Sequence, residues 1–169
     1  MSDPGRFYDV DFYRWTQEQA ALLRQVPGER INLPIDWDHA AEEIEDMGRS
    51  DLRAVNSRIG VILEHLLKLE HSPAEDPRDG WIDTVARCRD DVSRTLDDSP
   101  SLRHKLPERW LKEYALARRG AVRSLARDGI ETAEIPTDPP YTLDQVIDPD
   151  WWPANRHGHD LPRWLRRSD

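Results

Sequence analysis

A tight run of histidine and carboxylate side chains carries most of the chemistry this sequence offers. His39, Glu42, Glu43, Glu45 and Asp46 crowd positions 39–46, with His65 and His71 downstream. His39 and Glu43 stand four apart and so share one face of a helix, a spacing that can hold a divalent metal. His65 becomes a third ligand if the chain folds back near Gly48. In that reading Glu42 serves as the general base of a metal-dependent enzyme. Two motifs that would strengthen it are missing, the HExxH pair and the repeated ExxH of helical di-iron proteins.

The competing reading is electrostatic. Between Asp36 and Asp51 seven acids (Asp36, Asp38, Glu42, Glu43, Glu45, Asp46, Asp51) face one base, Arg49, a net charge of −6. Glu45 and Arg49 are spaced as a helical ion pair, which offsets only about 0.3 kcal/mol, and most of the field stays available to steer a basic partner. A partner-binding face at Glu42, Glu45, Asp46 and Asp51 follows, on a protein-interaction or adaptor module with an unidentified protein partner. No cofactor is assigned. No catalytic residue is assigned either: there is no GxSxG, no phosphate-binding glycine loop and no GxGxxG.

Charge and cysteine usage narrow the classes further. Lys plus Arg number 24 against 33 for Asp plus Glu, a net charge of −9 that disfavours nucleic acid and anionic lipid as general partners. A third reading, nucleic-acid binding through the C-terminal arginines of HGHDLPRWLRR (His157 to Arg167), runs against that balance. The lone cysteine, Cys88, cannot form an internal disulfide and fits a reducing compartment. The first residues carry acids where a secretion signal has a basic and then apolar run, and no apolar stretch is long enough to span a membrane. A cytoplasmic location is expected.

The elements that must position these residues are helical. Ile44, Gly48, Leu52, Val55, Ile59, Ile62, Leu66 and Leu69 recur at steps of three and four within residues 35–73, with Asp36 and Asp38 where an N-cap belongs and Ser72-Pro73 as the stop. Gly48 costs about 1 kcal/mol relative to alanine in a helix, and Ser50 can cap a new one. Two helices meeting near Gly48, or one helix kinked there, both fit. Phe12, Trp15, Gln19, Leu22 and Val26 mark an earlier helix, stopped by Pro27-Gly28 and joined to the central stretch by residues 29–34. Trp81, Val85, Cys88, Val92 and Leu96 mark a later one, with Asp79 as its cap and Cys88 on its buried face.

Ser99 and Pro100 suit the start of a short turn, Ser99 as its cap. Pro107 opens another long helix whose apolar face is Trp110, Leu111, Tyr114, Ala117, Ala121, Val122 and Leu125, ending at Asp128-Gly129. Five prolines between Ile135 and Pro153 leave room only for a capped turn at Thr142 to Ile147, where Thr142 and Gln145 have capping-box spacing. Tyr141, Leu143, Trp151 and Trp152 are expected to pin this segment as a wrap over the bundle. Trp15, Trp81 and Trp110 are read as core residues. The fold expected is all-α, a single-domain bundle of four or five principal helices with a Pro/Trp-rich C-terminal wrap. Its boundaries are 1–153 for the domain and 154–169 for a loosely held basic tail.

DVDFYRWTQEQAALLR (Asp9 to Arg24), AEEIEDMGRSDLRA (Ala41 to Ala54), EHLLKLEHSP (Glu64 to Pro73), DDSPSLR (Asp97 to Arg103) and PYTLDQVIDPDWWP (Pro140 to Pro153) resemble, in order and with compatible spacing, the blocks of a bacterial protein family. That family is described only as a domain of unknown function, the twenty-ninth of its series, and the likeness covers nearly all of residues 8–153. It implies a small helical protein of the bacterial cytosol and carries over no catalytic residue, since the family has none assigned. Leu69 stands where many relatives carry tryptophan and Cys88 where glutamine is usual; if that glutamine serves a polar site, this chain lacks it.

Overall fold

The computed structural model describes residues 5–26, 34–162 and 165, and among them all regular structure is helical. Five α-helices follow in order: α1 (Phe12–Leu23), α2 (Trp37–His71), α3 (Arg78–Asp98), α4 (Trp110–Arg127) and α5 (Leu143–Ile147), with two short 3₁₀ turns between α3 and α4. The chain groups into two compact units, Met1–Val55 with Ser93–Glu108 and Asn56–Val92 with Arg109–Asp169. α2 and α3 each run through both.

In the first unit Asp11 fixes the start of α1. One carboxylate oxygen accepts the Arg14 N–H at 3.1 Å, and the carboxylate also takes the N–H and hydroxyl of Ser101 from the turn Pro100–His104. Ser99 does not cap its own turn, as its position suggests. Its buried hydroxyl instead accepts the Tyr13 N–H at 3.0 Å, so two polar side chains latch α1 to that turn from both directions. α1 buries Thr16 and Ala20, while Leu22 is 51% exposed, contrary to its place in the expected apolar series. Tyr8, Phe12 and Trp15 pack edge-on and stacked with centroids 4.9 to 6.0 Å apart. The stop at Pro27-Gly28 and most of the 29–34 connection lie outside the described residues.

α2 is one helix, and Gly48 neither splits it nor starts a new one at Ser50. Gly48 is where α1 crosses: a Cβ there would overlap Thr16 Oγ1 and press on the Tyr13 ring. The glycine answers to close approach between helices and not to a turn. The helix start is as expected, with Asp36 accepting the His39 N–H at 3.2 Å and offering its carbonyl to Ala40.

The second unit holds the larger core. Ile59, Ile62, Leu63, Leu66, Leu67 and Leu69 of α2 are at most 2% exposed, each stabilising by about 1.5–3 kcal/mol. Ile82 and Val85 of α3 and Tyr114, Ala117, Ala121 and Leu125 of α4 complete it. α3 buries Ile82, Val85, Arg89, Val92 and Leu96, a face turned one residue from the expected Trp81-Val85-Cys88 series, and Cys88 is only half-buried. Burial still pushes its thiol up from the ordinary range, which keeps it a poor nucleophile. In α4, Leu111 faces solvent at 69% exposure and buried Glu113 takes its place, held by Arg109 at 3.1 Å. α4 closes at Gly129, with φ 74°, and the Ile130 N–H reaches the Leu125 carbonyl. Thr142 and Gln145 form the expected capping box on α5.

Past α4, Tyr114 and Arg118 hold the Ile135 and Pro136 carbonyls, and Tyr141 meets Trp151 edge-on. Arg89 anchors α5: its Nε donates to the Val146 carbonyl at 2.9 Å, its Nη2 to Gln145, and its guanidinium lies over Trp152. Burial pulls its pKa down to about 10. The tie to α2 extends beyond the expected 153 boundary. The Asn155 amide donates to the Leu69 and Ser72 carbonyls at 2.7 and 2.9 Å, the Arg156 N–H to Glu70, and the His157 and His159 rings to His71 and Pro73. Trp164 and the arginines at 163, 166 and 167 lie outside the described residues. Among the described residues no helix is long and apolar enough to cross a membrane.

Candidate functional site

The first half of α2 displays the acids singled out above, and the structure separates them into two kinds. Glu45 is already engaged: Arg24, at the C-terminal end of α1, donates to one carboxylate oxygen at 2.5 Å and Arg49 to the other at 2.6 Å. The Arg24 hydrogen bond, ahead of Arg49, holds its pKa below the usual carboxylate range. Arg49 also reaches Asp46 at 3.2 Å. Asp51 is half-buried, and burial, with Asp98 as a like charge nearby, pushes its carboxyl up. Three of the four expected partner-binding carboxylates, Glu45, Asp46 and Asp51, are therefore already paired or half-buried.

Glu42 and Glu43 differ. Both are exposed, and among the described residues neither side chain forms a hydrogen bond or ion pair, although the Glu42 charge helps raise the His39 pKa. Beside them Met47 is 51% exposed, one turn beyond Glu43 on the same strip of helix. The flexible thioether, one turn from the Glu43 carboxylate, offers a contact surface beside a charge. The spacing of acids was legible in the sequence, whereas the outward turn of Met47 was not, because the apolar series around it is satisfied without it.

The three metal candidates are not brought together. His39 Nδ1 lies 2.6 Å from Asp36 Oδ2, and this hydrogen bond raises the imidazole pKa. Because α2 continues through Gly48, the fold-back that would deliver His65 does not occur. His65 Nδ1 donates to the Val61 carbonyl at 2.9 Å, and burial pulls its pKa down. Among the described residues no group of three or more His, Cys, Asp or Glu side chains is placed to hold a metal.

The end of α2 carries a second polar cluster that sequence reasoning missed. Buried Tyr141 donates its hydroxyl to the Glu70 carboxylate, which also accepts Arg156 Nε at 3.1 Å. Arg156 continues to Glu134. Desolvation, then the Glu70 hydrogen bond, pushes the Tyr141 phenol far up, and Tyr114 nearby is pushed up to about 12. His71, 4% exposed, lies with Nε2 at 3.8 Å from Glu70, and burial pulls its pKa down. A cavity of about 510 Å³ adjoins His71, Glu134, Arg156 and His157. Arg156 fills the gap between the two acids, so the cluster reads as an internal clasp. Its only sequence signal was that Glu70-His71 and Tyr141 fall in two of the recurring blocks.

The family model for DUF29, a domain of unknown function, matches residues 7–152. Among solved structures the chain is similar to an alpha-helical protein of unknown function from Rhodospirillum rubrum. The two share 28% identity and superpose with a TM-score of 0.73, over 85% of this chain and 90% of that one. No curated protein matches the chain.

Proposed function

We propose that this chain, which belongs to the DUF29 family, is a protein-interaction module that captures a basic, amphipathic segment of its partner on the first half of α2. The observation that carries this reading is the exposed Met47 one turn from Glu43, with the Glu42 and Glu43 side chains in no ion pair among the described residues. Acids alone suit a solvated helix face. Acids around an exposed apolar side chain suit a partner helix with an apolar stripe flanked by lysine or arginine. The partner's basic residues would be drawn in by the segment's charge and its apolar residues would cover Met47. The lone thiol of Cys88 supports placing this activity in a bacterial cytoplasm.

The test is affinity capture from a native lysate at near-physiological salt, read by mass spectrometry. Glu42→Lys with Glu43→Lys removes a stoichiometric partner, and Met47→Ser weakens its retention while leaving the salt dependence in place. Glu45→Gln, which alters an acid already paired, leaves capture nearly intact. Undiminished capture by the double charge reversal overturns the reading.

A further inference from the structure

A second charged surface lies in the unit formed by Asn56–Val92 and Arg109–Asp169, and its sign is opposite. α2 and α4 border a groove of about 500 Å³. Along α4, Arg119, Arg123 and Arg127 line it at successive turns, and Leu116, 43% exposed, forms an apolar end wall. All three arginines are exposed, and among the described residues none has an ion pair or hydrogen bond. From α2 comes Lys68, whose side chain is only 9% exposed, with Nζ 2.7 Å from Glu64 Oε1. Gly120 lets this pair lie against α4, since a Cβ there would overlap the Glu64 carboxylate. The groove thus holds four cations and one carboxylate in a chain of net charge −9.

Local helix energetics do not account for this pattern. Like charges four apart on a helix repel, by a few tenths of a kcal/mol per pair in isolated helices, and 33 acids were available to relieve them. The helix dipole favours a cation only in the last turn, which explains Arg127 but not Arg119 or Arg123. Guanidinium groups one turn apart, about 6 Å along the axis, present planar forks that match phosphate oxygens two at a time. A groove of this volume, between two helices, has the size of a small-molecule site and not of a polymer track.

We infer that the α2–α4 groove binds a small ligand carrying two or more phosphoryl groups, with Arg119 and Arg123 gripping the phosphates and Leu116 packing on the remainder. The Lys68–Glu64 pair forms the floor of the groove beneath them. This site is independent of the acidic face on the first half of α2.

The test uses the full chain and inorganic tripolyphosphate as the probe, followed by titration calorimetry and by thermal shift. The expected result is saturable one-to-one binding with a raised melting temperature. Arg119→Ala and Arg123→Ala each weaken binding by about tenfold or more, the loss typical of a charge-assisted hydrogen bond. Their unliganded melting temperatures stay at the wild-type value, because both side chains are exposed, and Arg53→Ala, an exposed arginine outside the groove, binds as wild type. Absence of saturable binding, or an equal loss in Arg53→Ala, overturns the proposal. So does binding of a single-stranded RNA or a polyglutamate peptide that tripolyphosphate fails to displace, which would assign the groove to a macromolecule. Charge reversal at Glu42 and Glu43 leaves tripolyphosphate binding in place, so the two surfaces stand or fall separately.

Discussion

His65 and His71 are both held below the ordinary imidazole range by burial, and that has a sign for stability. Unfolded, each takes up a proton near pH 6.5, while the folded rings resist it. Their contribution is therefore complete above about pH 6.5 and is lost as pH falls through the folded values. His39 works in the opposite sense: Asp36 raises its pKa, so its contribution is present below about 6.5 and fades as pH rises through the folded value. His65→Gln removes one buried ring and leaves His39 alone. The melting temperature of that variant should fall less between pH 7 and pH 5 than the wild type does, and an unchanged slope would show that His65 titrates freely in the folded chain. At this scale the sequence was legible where the signal is local. Asp36, Thr142 with Gln145, and Gly129 each act within a few residues, and each sits where spacing placed it. Arg89 was not legible. Steps of three and four fit a face through Cys88 as well as one through Arg89, and the carbonyls that decide between them, on Gln145 and Val146, are more than 50 residues away. The second partner of Glu45 escaped for the same reason: its pairing with Arg49 is local, but Arg24 approaches from the end of α1.

Helices are where periodicity served best and where a single residue type misled. The α2 stripe from Val55 to Leu69 is buried as its spacing requires, yet Gly48 read locally as a break because glycine is poor in an isolated helix. Its reason lies in α1, whose Thr16 fills the place of a side chain. A matched pair of substitutions separates these causes. At Gly80, early in α3, a Cβ meets nothing within 4 Å, so Gly80→Ala should stabilise the protein by about 0.5–1 kcal/mol through the unfolded chain and helix propensity. Gly48→Ala gains the same propensity and should still destabilise by about 1–3 kcal/mol, as overpacking against buried Thr16 outweighs it. Denaturant midpoints of the two variants check both signs. If Gly48→Ala stabilised the chain, the α1–α2 crossing would not be close.

Over the whole molecule, the all-helical class was legible because apolar residues recur with one period along most of the chain, while the division into two compact units was not, since α2 and α3 each serve both. We expect those shared helices to make unfolding a single event. Ser57 is exposed on α2, just past the boundary between the units. Ser57→Pro costs about 3 kcal/mol in a helix interior and should replace one calorimetric transition by two; one transition in the variant would place the coupling outside α2. The end of α2 has a temporal meaning as well. Its last carbonyls are met by Arg78 and, far later in the chain, by Asn155, Arg156 and His157. Ser72 and Asn155 are 83 positions apart. At ribosomal speeds of about 5–20 residues per second, roughly 4–17 s separate the two in a growing chain. For that interval the longest helix is finished while the later of its closing groups are still to be made.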